Sequence, residues 1–179
     1  LPRSNELSPI QVLDIFQQSL SRLKQTSIHG CLLHVADDLL TVDKHQNYNK
    51  LLQLKELGLV SKIGVSVYNP EQLAAITQDF QLDLVQLPLN IFDQRFLTSG
   101  WLHKLKELGV EIHIRSAFLQ GVLLMEPQDL PEHFQPFLSF IQRYFSFLEK
   151  SQVPKLSAAL HFIRDLDLVD YAIFGCCSC

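Results

Sequence analysis

No stretch of this sequence is built for nucleic acid or for a bilayer. Its 15 lysines and arginines against 19 aspartates and glutamates leave a net charge of −4, and no basic patch gathers the cations for a polyanion. The longest uncharged stretches, such as Phe134 to Gln142, contain polar residues and fall well short of a membrane span, and no basic segment followed by an apolar run opens the chain. The cysteines lack the spacing of a disulfide framework. Cys31 stands alone, Cys176, Cys177 and Cys179 crowd the last residues, and Cys-x-x-Cys does not occur. Reduced thiols in a cytoplasmic protein are therefore expected, with no metal site, since neither that trio nor the histidines show ligand spacing. No glycine-rich phosphate fingerprint follows a strand. What is present is 179 residues, 47% hydrophobic and 19% charged, enough for one globular unit with a sizeable core.

The clearest local pattern runs from Val60 to Asn90. A short apolar strand, Val60 to Val67, enters a polar turn, a helix follows, and Leu82 to Asn90 forms a second strand. Asn69 supplies a side-chain acceptor at the N-cap, Pro70 a preset φ at the first helical position, and Gln72 a reaching amide at the third. The same start signal stands at Ser8-Pro9-Ile10-Gln11, ahead of a helical face of Leu13, Phe16, Leu20 and Leu23. A strand is expected from Ile28 to His34, then a helix from about Tyr48 to Leu57 that closes on Gly58. Beyond Asn90 come a helix around Leu97 to Leu108, closed by Gly109, and a strand from Val110 to Ala117. Phe134, Phe137, Ile141, Tyr144, Phe145 and Leu148 make a stripe that reads as core packing. Pro154 starts a helix over Leu156 to Ile163, and Leu168 to Phe174 is a last strand. Leu54-Lys-Glu-Leu-Gly58 and Leu105-Lys-Glu-Leu-Gly109 are identical and precede successive βα units.

Five strands alternating with helices predict a parallel sheet covered by helices. Two architectures fit, an open doubly wound sheet or part of a (β/α)8 barrel, and both place chemistry at the C-terminal strand ends. Those ends are His34, Ser66 to Asn69, Gln86 to Asn90, Arg115 to Gly121, and Gly175 onward.

At those ends the chain resembles a known family. Gly64-Val-Ser66 with Pro70-Glu-Gln-Leu73, then Gln86 with Asn90, then Arg115-Ser-Ala-Phe-Leu-Gln-Gly121, resemble the second half of an aldo-keto reductase. Leu32-Leu-His34 is similar to that family's fourth strand and Ile173-Phe-Gly175 to its eighth. The resemblance implies an α/β fold, a (β/α)8 TIM barrel of which residues 1–179 supply about five strands, from the third helix through the eighth strand and truncated at both ends. It implies NADPH as cofactor, with NADH as the other possibility, and a small-molecule carbonyl as substrate. His34 then matches the histidine that orients and polarises the carbonyl, a role suited to a neutral imidazole N–H. Ser66 and Gln86 match side chains that hold the nicotinamide carboxamide. Ser116, Phe118, Gln120 and Gly121 lie in the loop that passes the pyrophosphate, and Gly175 begins the loop toward the adenosine.

Two positions depart from the family pattern. Arg115 stands where many members stack an aromatic ring under the nicotinamide, and its planar guanidinium is also able to stack. Val67 replaces the asparagine of a Gly-Val-Ser-Asn motif. The family's catalytic aspartate, tyrosine and lysine belong to earlier strands, and Tyr48, Tyr68, Tyr144 and Tyr171 are not at the matching place. An arc of barrel would leave two unpaired edges and an uncovered inner face. The resemblance thus implies hydride transfer to an aldehyde, ketone or sugar carbonyl by a longer protein. A non-catalytic nucleotide- or partner-binding barrel, and an unrelated (β/α)8 lyase or isomerase, stand beside that reading.

Overall fold

The computed structural model describes residues 7–175, so the expectations placed on Cys176, Cys177 and Cys179 lie outside the described residues. Five strands, β1 (Ile28–Leu33), β2 (Val60–Ser66), β3 (Leu84–Pro88), β4 (Glu111–Arg115) and β5 (Tyr171–Ala172), form one sheet. Their order in space is their order in sequence, and every neighbouring pair is parallel. Such an order contains no reversal and hence no topological switch point, which separates it from a doubly wound sheet. This is an α/β fold consistent with an arc of a (β/α)8 barrel.

The strand alternation sorts the side chains. Ile63, Val65, Val67, Val85, Leu87, Leu89, Ile112 and Ile114 are buried in the main core, which also takes Leu51 and Leu54 of α2 (Lys44–Glu56), Leu73 and Ile76 of α3 (Pro70–Asp79) and Phe16 and Leu20 of α1 (Pro9–Leu23). The intervening residues, among them Ser66, Gln86, Glu111, His113 and Arg115, share the opposite face, where Ser66 bonds across strands to Gln86 and Arg115, and His113 bonds to Glu111 of its own strand.

Both capped starts form. Ser8 Oγ accepts from Gln11 N and Gln11 Oε1 accepts from Ser8 N, a complete capping box. At α3, Asn69 Oδ1 accepts from Gln72 N, while the Gln72 side chain reaches one residue further back to Tyr68 N and donates to Asp37.

The repeated pentapeptide is a repeated structure. Gly58 and Gly109 take φ of 70° and 72°, and in each copy the residue after the glycine donates back to the leucine that opens the pentapeptide. Lys55 and Lys106 each pair with an aspartate, Asp83 and Asp170, that also accepts the N–H of a strand residue, Ile63 or Ile112.

Four elements differ from the sequence pattern. The single helix expected around Leu97 to Leu108 is two, α4 (Arg95–Thr98) and α5 (Trp101–Glu107), because Gly100 adopts φ 78° between them. Phe137 is 60% exposed instead of joining the aromatic stripe. Residues Glu132–Phe137, which include Pro136, form 3₁₀ turns, whose tighter pitch shifts the phase before α6 (Leu138–Lys150) begins. Leu23, the last residue of α1, is exposed, since the left-handed Lys24 ends the helix there. The last strand shortens to two residues, although Asp170 N and Ile173 N continue its pairing to Ile112 O and Ile114 O. Helix α7 (Lys155–Arg164) follows Pro154 as expected. No helix among the described residues is long and apolar enough to cross a membrane.

Candidate functional site

Parallel strands place their last residues along one rim, and there a chain of polar contacts crosses three strands. Ser66 ends β2, Gln86 lies opposite it on β3, and Arg115 ends β4. Arg115 Nε donates to Ser66 Oγ at 3.3 Å, and Ser66 Oγ donates to Gln86 Oε1 at 3.2 Å. Arg115 Nη2 donates to the carbonyl of Val67 at 3.1 Å, and Nη1 to Ser116 Oγ at 3.4 Å. The guanidinium lies over the Tyr68 ring, 4.4 Å from its centroid. Ser66 is 1% exposed, so its hydroxyl is satisfied by this chain and not by bulk water. Four contacts, three hydrogen bonds and the ring face of Tyr68, therefore hold one cation in a fixed orientation, and the two N–H donors of Gln86 remain unspent among the described residues.

The segment after β4 is bent sharply. Ser116, Leu119, Gln120 and Gly121 all have positive φ, of 59°, 48°, 54° and 93°. Three of these are not glycine, and such conformations persist only where their surroundings over-determine them. Part of that support is Asn90, 1% exposed, whose Nδ2 donates to Ser116 O at 3.0 Å while its Oδ1 accepts from Phe92 N and Asp93 N. Phe118 stacks on Phe174 with ring centroids 5.3 Å apart, bringing the loop beside the segment that carries Gly175. Gln120 and Gly175 are exposed, and a Cβ on Gly175 would meet open space. His34 lies one residue past β1 and is exposed. The structure thus brings Ser66, Gln86, Arg115 and Ser116 into one bonded group, sets Phe118 and Gly121 in the adjoining loop, and leaves His34 and Gly175 outside that group.

A second polar group sits nearer the N-terminal strand ends and escaped the sequence pattern. Glu111 Oε1 meets Nε2 of His29 at 2.7 Å and Nε2 of His113 at 2.6 Å, while Lys62 Nζ donates to Glu111 Oε2 at 2.5 Å. Burial pushes the Glu111 carboxyl up, but hydrogen bonds from Lys62, His29 and His113 outweigh it and bring the pKa down to about 2. His29 and Glu111 are 82 positions apart, so spacing on one segment had no access to them.

The aldo/keto reductase family model matches residues 2–178. No curated protein matches this sequence. Among solved structures, an aldo-keto reductase from Bacillus halodurans in its apo form superposes with a TM-score of 0.73 at 22% identity, covering 96% of this chain and 59% of that one. A glycerol dehydrogenase from Gluconobacter oxydans gives 0.67 at 22%, over 92% and 54%. An aldo-keto reductase from Pseudomonas aeruginosa gives 0.62 at 18%, over 94% and 52%. At these identities the likeness is one of fold, and the chain spans just over half the length of each of these structures.

Proposed function

The chain belongs to the aldo/keto reductase family, and from that footing we propose that it carries the nicotinamide-binding part of an NAD(P)H-dependent reductase acting on an aldehyde, ketone or sugar carbonyl. The observation that carries this is the Arg115–Ser66–Gln86 chain at the C-terminal rim. A carboxamide presents one acceptor and two donors. The free N–H groups of Gln86 suit its oxygen, and the remaining lone pairs of Gln86 Oε1 and Ser66 Oγ suit its N–H groups. Nicotinamide, when bound, supplies the hydride. Arg115, with one face on Tyr68 and its edges pinned, offers a planar surface on which a flat ring can rest.

The left-handed run at Leu119, Gln120 and Gly121 makes a concave backbone of the kind that receives phosphate, and Gly175 admits close approach at the far end. His34 donates a hydrogen bond to the carbonyl oxygen and so stabilises charge developing there. A proton donor for that oxygen comes from residues outside this set. Tyr68 is engaged with Arg115, Tyr144 packs near Phe92 in a separate core, and Tyr171 lies beside His113.

The test is NADPH titration of the full-length protein, followed by quenching of cofactor emission, with NADH alongside and an Arg115→Ala variant. Saturable binding, weakened at least about tenfold in the variant, is expected, since removing one charge-assisted partner costs about 1.5–3 kcal/mol. Absence of binding by folded protein overturns the reductase reading and leaves only the fold.

A further inference from the structure

The group at the N-terminal strand ends has no part in the proposed reduction, and its composition is that of a metal ligand set. His29 of β1 and Glu111 and His113 of β4 offer two imidazole nitrogens and one carboxylate oxygen, all within 4.8 Å of one another. We propose that His29, Glu111 and His113 bind a divalent transition-metal ion, zinc being the best match, which clips β1 to β4 across the inner face of the sheet.

Two histidines with a glutamate form one of the recurrent zinc ligand sets, with bonds of about 2.0–2.2 Å and a remaining position open to water. Both Nε2 atoms already converge on the same carboxylate oxygen, at 2.7 and 2.6 Å. A metal takes the place of the hydrogen each Nε2 presents to that oxygen, and each neutral imidazole moves its proton to Nδ1. Tetrahedral bonds of that length hold ligand atoms about 3.4 Å apart, so small side-chain rotations suffice. The rings are already nearly parallel, with planes 7° apart and centroids 6.5 Å apart. Tyr171 walls the site, edge-on to His113 at 4.9 Å.

Lys62 occupies the other carboxylate oxygen, which leaves Oε1 as a single ligand atom and orients it. The His29 side chain is 51% exposed, giving an ion a path from solvent. Cys31 does not compete, because it packs against the main core.

The experiment is calorimetric titration of Zn2+ into the full-length protein with Cys176, Cys177 and Cys179 changed to serine, which removes those thiols as competing ligands. Visible absorption of Co2+ at the same site reports its geometry. One equivalent should bind, and His29→Ala and His113→Ala should each weaken binding by about 100-fold or more, beyond the 10- to 100-fold typical of losing an outer-shell partner. His161→Ala should leave it unchanged. Circular dichroism checks folding, and if His113→Ala fails to fold, the exposed His29 carries the test alone. Less than one equivalent, or affinity indifferent to His29→Ala in folded protein, overturns the proposal.

Discussion

Asp83 and Asp170 do the same work in two copies of one structural unit. Each precedes a strand, pairs with the lysine of a Leu-Lys-Glu-Leu-Gly pentapeptide, and accepts a backbone N–H from the strand that follows that pentapeptide, Ile63 at 2.9 Å and Ile112 at 2.7 Å. The carboxylate is more consequential than the ion pair. A partly exposed lysine–carboxylate pair is worth about 0–1 kcal/mol, whereas an N–H left without its charged acceptor costs about 1–3 kcal/mol. Asp83→Ala and Asp170→Ala should each destabilise the protein by about 1–3 kcal/mol in urea unfolding, and Lys55→Met and Lys106→Met by less than about 1. Lysine variants as costly as the aspartate ones would reverse that ranking.

Gly30 and Gly64 both face Leu84, with different consequences. A Cβ on Gly30 would stand 2.6 Å from Leu84 Cδ2, the end of a side chain that rotates away. One on Gly64 would stand 1.8 Å from the Leu84 carbonyl oxygen and 2.7 Å from its carbon, which are held by strand pairing. Forcing backbone apart costs about 1–3 kcal/mol or more. Gly64→Ala should therefore lower the unfolding midpoint sharply or abolish soluble folding, and Gly30→Ala should cost less than about 1.5 kcal/mol. Equal effects in thermal unfolding would mean that β2 and β3 separate easily.

What the sequence revealed follows from the range of each interaction. Caps at Ser8 and Asn69 and stops at Gly58 and Gly109 act within a few residues, and all four stand where the local pattern puts them. The rim residues Ser66, Gln86 and Arg115 were legible as strand ends, but their bonding order was not, because it depends on strand register. The Glu111 group was invisible, as β1 meets β4 only once the sheet curves. Phe137 misled because a helical stripe assumes one pitch, and Pro136 changes it.

Asp93 supplies the pH dependence most directly tied to the candidate site. Its carboxylate takes two hydrogen bonds from the Arg95 side chain and one from the Arg95 N–H, and its carbonyl accepts from the N–H of Asn90, the residue that supports the bend at Ser116. The hydrogen bonds from Arg95 lower its pKa below the ordinary 3.8, against an opposing contribution from burial. A carboxyl whose folded pKa is depressed stabilises the fold fully above its unfolded value, and that contribution is lost as pH falls through the folded one. Asp93→Asn should destabilise the protein by about 1 kcal/mol at pH 7, the scale of a partly exposed charge-assisted bond. The gap between variant and parent in urea unfolding should hold from pH 7 to about 5 and narrow below about 4, as the parent's carboxylate protonates. A gap that stays constant down to pH 3 would show that Asp93 acts through its shape and its carbonyl, with no contribution from its charge.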